Sequence, residues 1–193
     1  MFIVLYGINN LGKTTQAKRL VERLRCKGLE ATYIKYPIYD LAPTGPQLDR
    51  ILRSGQPQAI SEDRLQTLYA QNRRDFQPQL EQLLAAGTVV VAEDYTGTGI
   101  AWGMAKGASL EILERLNANL RREDISILLD GERFTTGRES RHLHESSDEL
   151  VNRCATTHQM LAERYGWRRV NASQTMAHVA DEIWRIVGKR LKP

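Results

Sequence analysis

The first sixteen residues, MFIVLYGINNLGKTTQ, restrict the fold of this chain more than any other stretch. Phe2 to Tyr6 is an apolar, β-branched run of about five residues, the pattern of a buried strand. It leads straight into Gly7-Ile8-Asn9-Asn10-Leu11-Gly12-Lys13-Thr14, which fits G-x-x-x-x-G-K-[ST] at every fixed position. Ala17, Leu20, Val21 and Leu24 then recur at helical spacing among Lys and Arg, so a helix begins near Lys13. Glycines at both ends let the backbone wrap closely and aim successive N–H groups at one point, an anion-binding nest. The helix that follows adds unpaired N–H groups and the positive end of its dipole. The stretch from Gly7 through Asn9, Asn10, Leu11 and Gly12 to Lys13, Thr14 and Thr15 therefore implies a nucleoside-triphosphate site. Lys13 supplies a point charge for the outer phosphates, and the Thr14 hydroxyl can ligate Mg²⁺.

A chain of 193 residues is long enough for a full core, as one domain over residues 1–193 with room for a small mobile insert. Its 41% hydrophobic and 26% charged content is ordinary for a soluble globular protein. The net charge of +4 suits polyanionic small molecules. It falls short of a nucleic-acid footprint, because no basic run is interleaved with aromatics. No apolar run approaches the roughly 20 residues needed to span a membrane. The strand at the very start leaves no space for a secretion signal, so the expected location is the cytoplasm. Cys26 and Cys154 show no metal-ligand spacing and read as reduced, structural thiols.

Further along, the first helix should stop near Lys27-Gly28. Ala31 to Lys35 reads as a second strand closed by Tyr36-Pro37, and Ile38 to Gly45 as a loop. A short helix from Gln47 to Arg53 precedes a turn at Ser54-Gly55-Gln56-Pro57. Ser61, followed by Glu62 and Asp63, caps a long helix striped by Leu65, Leu68, Tyr69, Phe76, Leu80, Leu83 and Leu84, ending at Ala86-Gly87. Thr88 to Ala92 is an uninterrupted apolar strand, as in the centre of a parallel sheet. The Gly-rich residues 96–107 read as a loop. Ser109 to Leu120 reads as a helix, Ile125 to Leu129 as a strand, and polar residues 131–148 as an exposed, mobile segment. A helix from Ser147 to Tyr165, a strand from Trp167 to Val170 and a closing helix over 174–190 complete the chain. Strands alternating with helices predict an α/β fold, a doubly wound parallel sheet.

With these segments placed, the chain resembles the thymidylate kinase family of P-loop nucleoside monophosphate kinases. GKTTQ extends the loop as that family does. Tyr36-Pro37 falls where the family has Phe-Pro, and Tyr69-Ala70-Gln71-Asn72-Arg73 resembles its F-x-A-x-R segment. Glu93-Asp94-Tyr95-x-x-Thr98-x-x-Ala101-Trp102 resembles its D-R-Y-x-x-S-x-x-A-[YF] stretch. The resemblance implies a three-layer P-loop NTPase fold, with a five-stranded parallel sheet flanked by helices and a mobile lid at about 131–148. It implies ATP and Mg²⁺, a nucleotide acceptor, and a homodimer as the usual assembly.

The resemblance also assigns roles. Tyr69 stacks on the acceptor base, although it fits the core stripe of its helix equally well. Arg73 holds the acceptor, or is a solvated helix arginine like Arg74. Asn9, Tyr36, Thr98 and Trp102 belong to the acceptor pocket, and a core position is the competing reading for Trp102. Glu93 organises Mg²⁺ with Thr14. Arg133 accompanies ATP. With no positive charge at Asn10-Leu11, the lid arginines Arg138 and Arg141 neutralise the moving phosphoryl group, and Glu145 falls at a lid glutamate. No histidine has a good case as a catalytic base.

Three departures alter the acceptor side. Asn9 replaces an aspartate, Asp94 replaces an arginine that clamps the acceptor phosphate, and Tyr39 stands nearest to another missing arginine. Arg73, Arg74 or Lys35 would have to compensate for a clamp replaced by a like charge. The first expectation is an ATP- and Mg²⁺-dependent kinase acting on a pyrimidine deoxynucleoside monophosphate such as thymidine monophosphate. A second is a kinase of an unphosphorylated hydroxyl acceptor, with Glu93 as the base. A third is a P-loop protein that binds nucleotide with little transfer.

Overall fold

The apolar runs assemble, in the computed structural model, into one sheet of five parallel strands ordered β2-β3-β1-β4-β5. The structure describes residues 1–53, 58, 60–133 and 148–191. The elements in chain order are β1 (Phe2–Tyr6), α1 (Lys13–Arg25), β2 (Ala31–Lys35), α2 (Thr44–Arg53), α3 (Glu62–Ala85) and β3 (Val89–Glu93). Then come α4 (Thr96–Ala105), α5 (Leu110–Leu116), β4 (Ile125–Asp130), α6 (Asp148–Tyr165), β5 (Arg168–Asn171) and α7 (Met176–Gly188). β1 and β3 are buried at every residue, as strands covered on both faces must be. Helices α1 and α7 pack together over one face, and α3, α4 and α6 cover the other. The α/β P-loop NTPase architecture expected from the alternation of elements is the one observed.

Parallel register sets the site. Leu5 on β1 pairs with Glu93 on β3, and Lys35 on β2 pairs with the same Glu93. The carboxyl ends of three adjacent strands thus open onto the loop after β1, where ligands bind in open α/β sheets.

Local signals place most elements. Ser61 caps α3 by accepting from the Arg64 N–H at 3.3 Å. Thr175 caps α7 in the same way through His178. α2 starts three residues before the expected Gln47. Thr44 is buried there and donates to Asp75 while accepting from Asn72, and Pro46 in the first turn gives up an N–H that would be unpaired anyway. α5 ends at Leu116, short of the expected Leu120. Of the cysteines, Cys154 is buried, but Cys26 is exposed at the end of α1 and has no core role. The expected turn at 54–57 and most of the lid segment, residues 134–147, lie outside the described residues.

The clear correction is α4. Residues 96–105 form a helix, not a loop, despite Gly97, Gly99 and Gly103. Glycine costs about 1 kcal/mol against alanine in a helix, and tertiary packing overrides that preference. A Cβ at Gly97 would stand 2.4 Å from the Trp167 ring, one at Gly99 2.7 Å from the Arg73 guanidinium, and one at Gly103 2.7 Å from a Leu113 methyl. The glycines let α4 lie directly against its neighbours.

The neighbours differ in stiffness, which ranks the substitutions. Trp167 is stacked on Tyr6 with ring centroids 4.2 Å apart and yields little, whereas the Leu113 methyls are the far end of a flexible side chain that can shift. Gly97→Ala should destabilise by about 2 kcal/mol through overpacking. Gly103→Ala should fall within about 1 kcal/mol of wild type, because improved helix propensity offsets a small adjustment. Urea unfolding of both variants checks the ranking.

Candidate active site

The loop between β1 and α1 takes the conformation its sequence demands. Gly7 has φ 134°, and a Cβ there would meet the Leu129 carbonyl oxygen at 2.5 Å. Asn10 and Gly12 follow with φ 63° and 79°, the left-handed turns that curl the backbone N–H groups inward. Lys13 is buried at 4% exposure and folds back over the loop, donating from Nζ to the Gly7 and Ile8 carbonyls at 2.8 Å each.

Beside it stands a compact charge cluster. Glu93 Oε2 accepts from the Thr14 hydroxyl at 2.7 Å and from the Tyr33 hydroxyl at 2.5 Å, and Oε1 lies 3.2 Å from Lys35 Nζ. Asp94, held at φ 63°, accepts from Thr98 at 2.8 Å and lies 3.8 Å from Lys13 Nζ. The two carboxyls are pushed in opposite directions. Burial works against ionisation of Glu93, but Lys13, Lys35 and the hydroxyls of Tyr33 and Thr14 outweigh it and hold its pKa below the ordinary value. Burial raises that of Asp94, and the charge on Glu93 adds to the rise against the pull of Lys13.

The cluster forms one end of a cleft of about 310 Å³. The other end is an aromatic and arginine wall. Tyr69 and Arg73 come from α3, Trp102 from α4 and Tyr36 from the end of β2, all under 9% exposed. Arg73 Nη1 donates to Asn117 at 2.9 Å, and its Nε is buried without a hydrogen-bond partner. Tyr36 packs edge-on against Phe76 and tilted against Tyr95, and the hydroxyls of Tyr36 and Tyr95 are also buried without partners. Of these, the Arg73 Nε and the Tyr36 hydroxyl belong to residues that line the cleft, where a polar ligand could satisfy them.

A strand, a phosphate-type loop and a strand-end carboxylate facing a buried aromatic wall agree with what sequence comparison finds: the thymidylate kinase family model matches residues 5–183. The chain belongs to the thymidylate kinase family. It is 30% identical to the protein of Thermococcus onnurineus named "Probable thymidylate kinase", over 99% of this chain and 98% of that one. It is 27% identical to the thymidylate kinase of Ruegeria pomeroyi, over 97% and 94%. A solved structure of thymidylate kinase from Candida albicans shares the fold, with TM-score 0.83 over 98% of this chain and 91% of that one at 19% identity. The protein is a phosphotransferase of the nucleoside monophosphate kinase class, acting with a nucleoside triphosphate in nucleotide biosynthesis.

For a thymidylate kinase, most of the expected site residues come together. Asn9, Asn10, Gly12, Lys13, Thr14 and Thr15 line the cleft on the phosphate side. Tyr36, Tyr69, Arg73, Thr98 and Trp102 line it on the other, and Glu93 stands between the two sets. Gly7 and Leu11 do not face the cleft. Leu11 is 3% exposed and packs in the core, so only its backbone is available to a ligand. Arg133 is nearly buried beyond β4, 3.6 Å from Asp148, and is also not a cleft residue. Arg138, Arg141 and Glu145 lie outside the described residues. Arg74 donates to the Leu116 carbonyl and does not line the cleft. Burial lowers the His158 imidazole to about 4, a weak base at neutral pH, and neither His158 nor His178 lines the cleft.

Sequence reasoning missed Tyr33, whose spacing of two from Lys35 on β2 puts both on one face of the strand. It also missed Arg53, which reaches the cleft from the end of α2, and Asn117 behind Arg73. Thr14 and Glu93 place two hard oxygen donors 2.7 Å apart, which suits Mg²⁺. Among the described residues no group of three or more His, Cys, Asp or Glu comes together, so an ion here would rely on phosphate oxygens and water, as Mg²⁺ commonly does.

The lowered pKa of Glu93 has a stability consequence. A carboxyl depressed in the folded state contributes stability above its unfolded pKa of about 4.3 and loses it as pH falls through the folded value. Glu93→Gln should therefore cost about 2 kcal/mol at neutral pH, the scale of charge-assisted hydrogen bonds. The gap between wild type and variant should close below about pH 4. Denaturant midpoints measured across that range test the sign.

Proposed function

We propose that this protein transfers the γ-phosphoryl group of ATP to thymidine monophosphate, with Mg²⁺ bound by Thr14 and Glu93. The cleft described above supports this reading. It joins a phosphate loop to a buried wall of aromatics and arginine with unpartnered donors. An acceptor phosphate oxygen attacks the γ-phosphorus, the bond to the β–γ bridging oxygen breaks, and ADP leaves. Little covalent chemistry is asked of the protein, so its residues act by positioning and by offsetting charge.

In this reading Lys13 exchanges the Gly7 and Ile8 carbonyls for phosphate oxygens, and the N–H groups of residues 9–15 hold the β-phosphate. When bound, Mg²⁺ neutralises phosphate charge. Tyr69 stacks the acceptor base, Arg73 donates to it, and Asn9, Tyr36, Thr98 and Trp102 shape the pocket. Arg138 and Arg141 belong to the triphosphate side and offset the charge of the moving phosphoryl group. The reading extends to a cytoplasmic homodimer.

Asp94 favours the second reading, a hydroxyl kinase, because it puts negative charge where a phosphate clamp is expected. The state of Glu93 weighs against that reading. Both its oxygens are engaged, and a carboxylate held below its ordinary pKa is a poorer base.

ADP release with ATP, Mg²⁺ and a panel of acceptors separates the readings. Turnover on thymidine monophosphate is expected, with kcat/KM falling about 10- to 100-fold in Arg73→Ala, the worth of one charged hydrogen-bonding group. Turnover on thymidine that disappears in Glu93→Gln would establish the hydroxyl kinase instead. Stabilisation by ATP with no turnover on any acceptor would leave a nucleotide-binding protein.

A further inference from the structure

Among the described residues, four cationic side chains line the cleft, Lys13, Lys35, Arg53 and Arg73, and two carboxylates, Glu93 and Asp94, oppose them. Lys35 lies against Glu93 and Lys13 against Asp94, so these four charges largely offset one another. Arg73 is buried deep in the wall with Asn117. A monophosphate ester brings a further charge of about −1.5 to −2. Arg53 differs from the other cations. It ends α2, and its guanidinium carbon lies 4.4 Å above the centroid of the Tyr39 ring, itself part of the cleft wall. Its ion pair is with Asp49, one helical turn back and not among the cleft residues. Both partners are more than 40% exposed, so this pair is weak and yields readily to a stronger anion.

Packing fixes where that guanidinium stands. Leu48 and Leu52 of α2 form a small core with Leu65, Leu68 and Tyr69 of α3, and Tyr39 packs against it. The end of α2 is thus fastened to the helix that carries the acceptor wall. A planar guanidinium resting on an aromatic face keeps its fork of donors in the geometry that phosphate oxygens accept bidentately.

We propose that Arg53, seated on Tyr39, binds the acceptor phosphate. It replaces the arginines that the family resemblance leads one to expect at position 94 and near position 39. The assignment rests on the monophosphate kinase reading above. It makes Arg53 and Tyr39 a unit, the ring orienting the guanidinium and the guanidinium selecting phosphorylated over unphosphorylated acceptors.

Steady-state kinetics and calorimetric binding on the full chain test it. Arg53→Ala should raise the KM for thymidine monophosphate about 10- to 100-fold while leaving the KM for ATP and the affinity for thymidine unchanged. Arg53→Lys should recover part of the loss, because charge returns without the fork. Tyr39→Leu should give an intermediate loss, and Tyr39→Arg in the Arg53→Ala background should restore acceptor affinity. Arg50→Ala, one turn away on α2, controls for nonspecific loss of charge. Equal weakening of thymidine and its monophosphate, or no change in either, overturns the assignment. Wild-type protein inactive on thymidine monophosphate overturns the kinase reading itself, whereas wild-type turnover unchanged in Arg53→Ala overturns only the role of Arg53.

Discussion

Pairing of β1 with β3 in parallel register is the constraint on which the rest of the molecule depends. It sets Glu93 at the mouth of the phosphate loop, with Lys35 of β2 in register on its far side. Because side chains alternate along a strand, a slip of one residue would turn Glu93 into the opposite layer and remove the partner of Thr14 and Lys35 together. The apolar residues of both strands, buried on either face, make that slip costly, so the hydrophobic core enforces the geometry of the charged site. The site is then stabilised by its own cross-pairing, with a buried carboxyl, a partly buried one, a buried lysine and a half-exposed one balancing in a small volume.

The acceptor wall uses a different economy. α4 gives up helix propensity at three glycines so that Trp167, Arg73 and Leu113 can approach its backbone. Among the described residues Arg73 is thereby buried without an acidic partner, near Tyr36 and Tyr95, whose hydroxyls have no hydrogen-bond partner. Such a surface is poorly satisfied on its own, and the deficit is located where a ligand can make it good.

How much of this was legible in the sequence follows from the range of the interactions. β1, the phosphate loop and the start of α1 were readable because their signals are local: an apolar run, two glycines with a lysine, and helical spacing. β2 and the Ser61 cap were readable for the same reason. α4 was not, since glycine is a breaker by local rules and its justification lies in side chains up to 70 residues away. The family resemblance located Tyr69, Arg73, Thr98 and Trp102 in the cleft, and local pattern alone left Tyr69 and Trp102 open to a core reading. In the structure they are both, buried and lining the cleft at once. Arg53 was illegible, because nothing in a helix-terminal arginine announces that a loop tyrosine will lie beneath it.

The contact between Gly99 and Arg73 reaches beyond this one molecule. The guanidinium occupies the space where any other residue at position 99 would place its Cβ, so the two positions share a single volume. A side chain at residue 99 therefore requires the guanidinium to shift, and the helix carries the cost of a glycine for as long as the arginine fills that volume. Two positions 26 residues apart in the chain are thus coupled through one volume, so the effect of a substitution at either depends on the residue standing at the other.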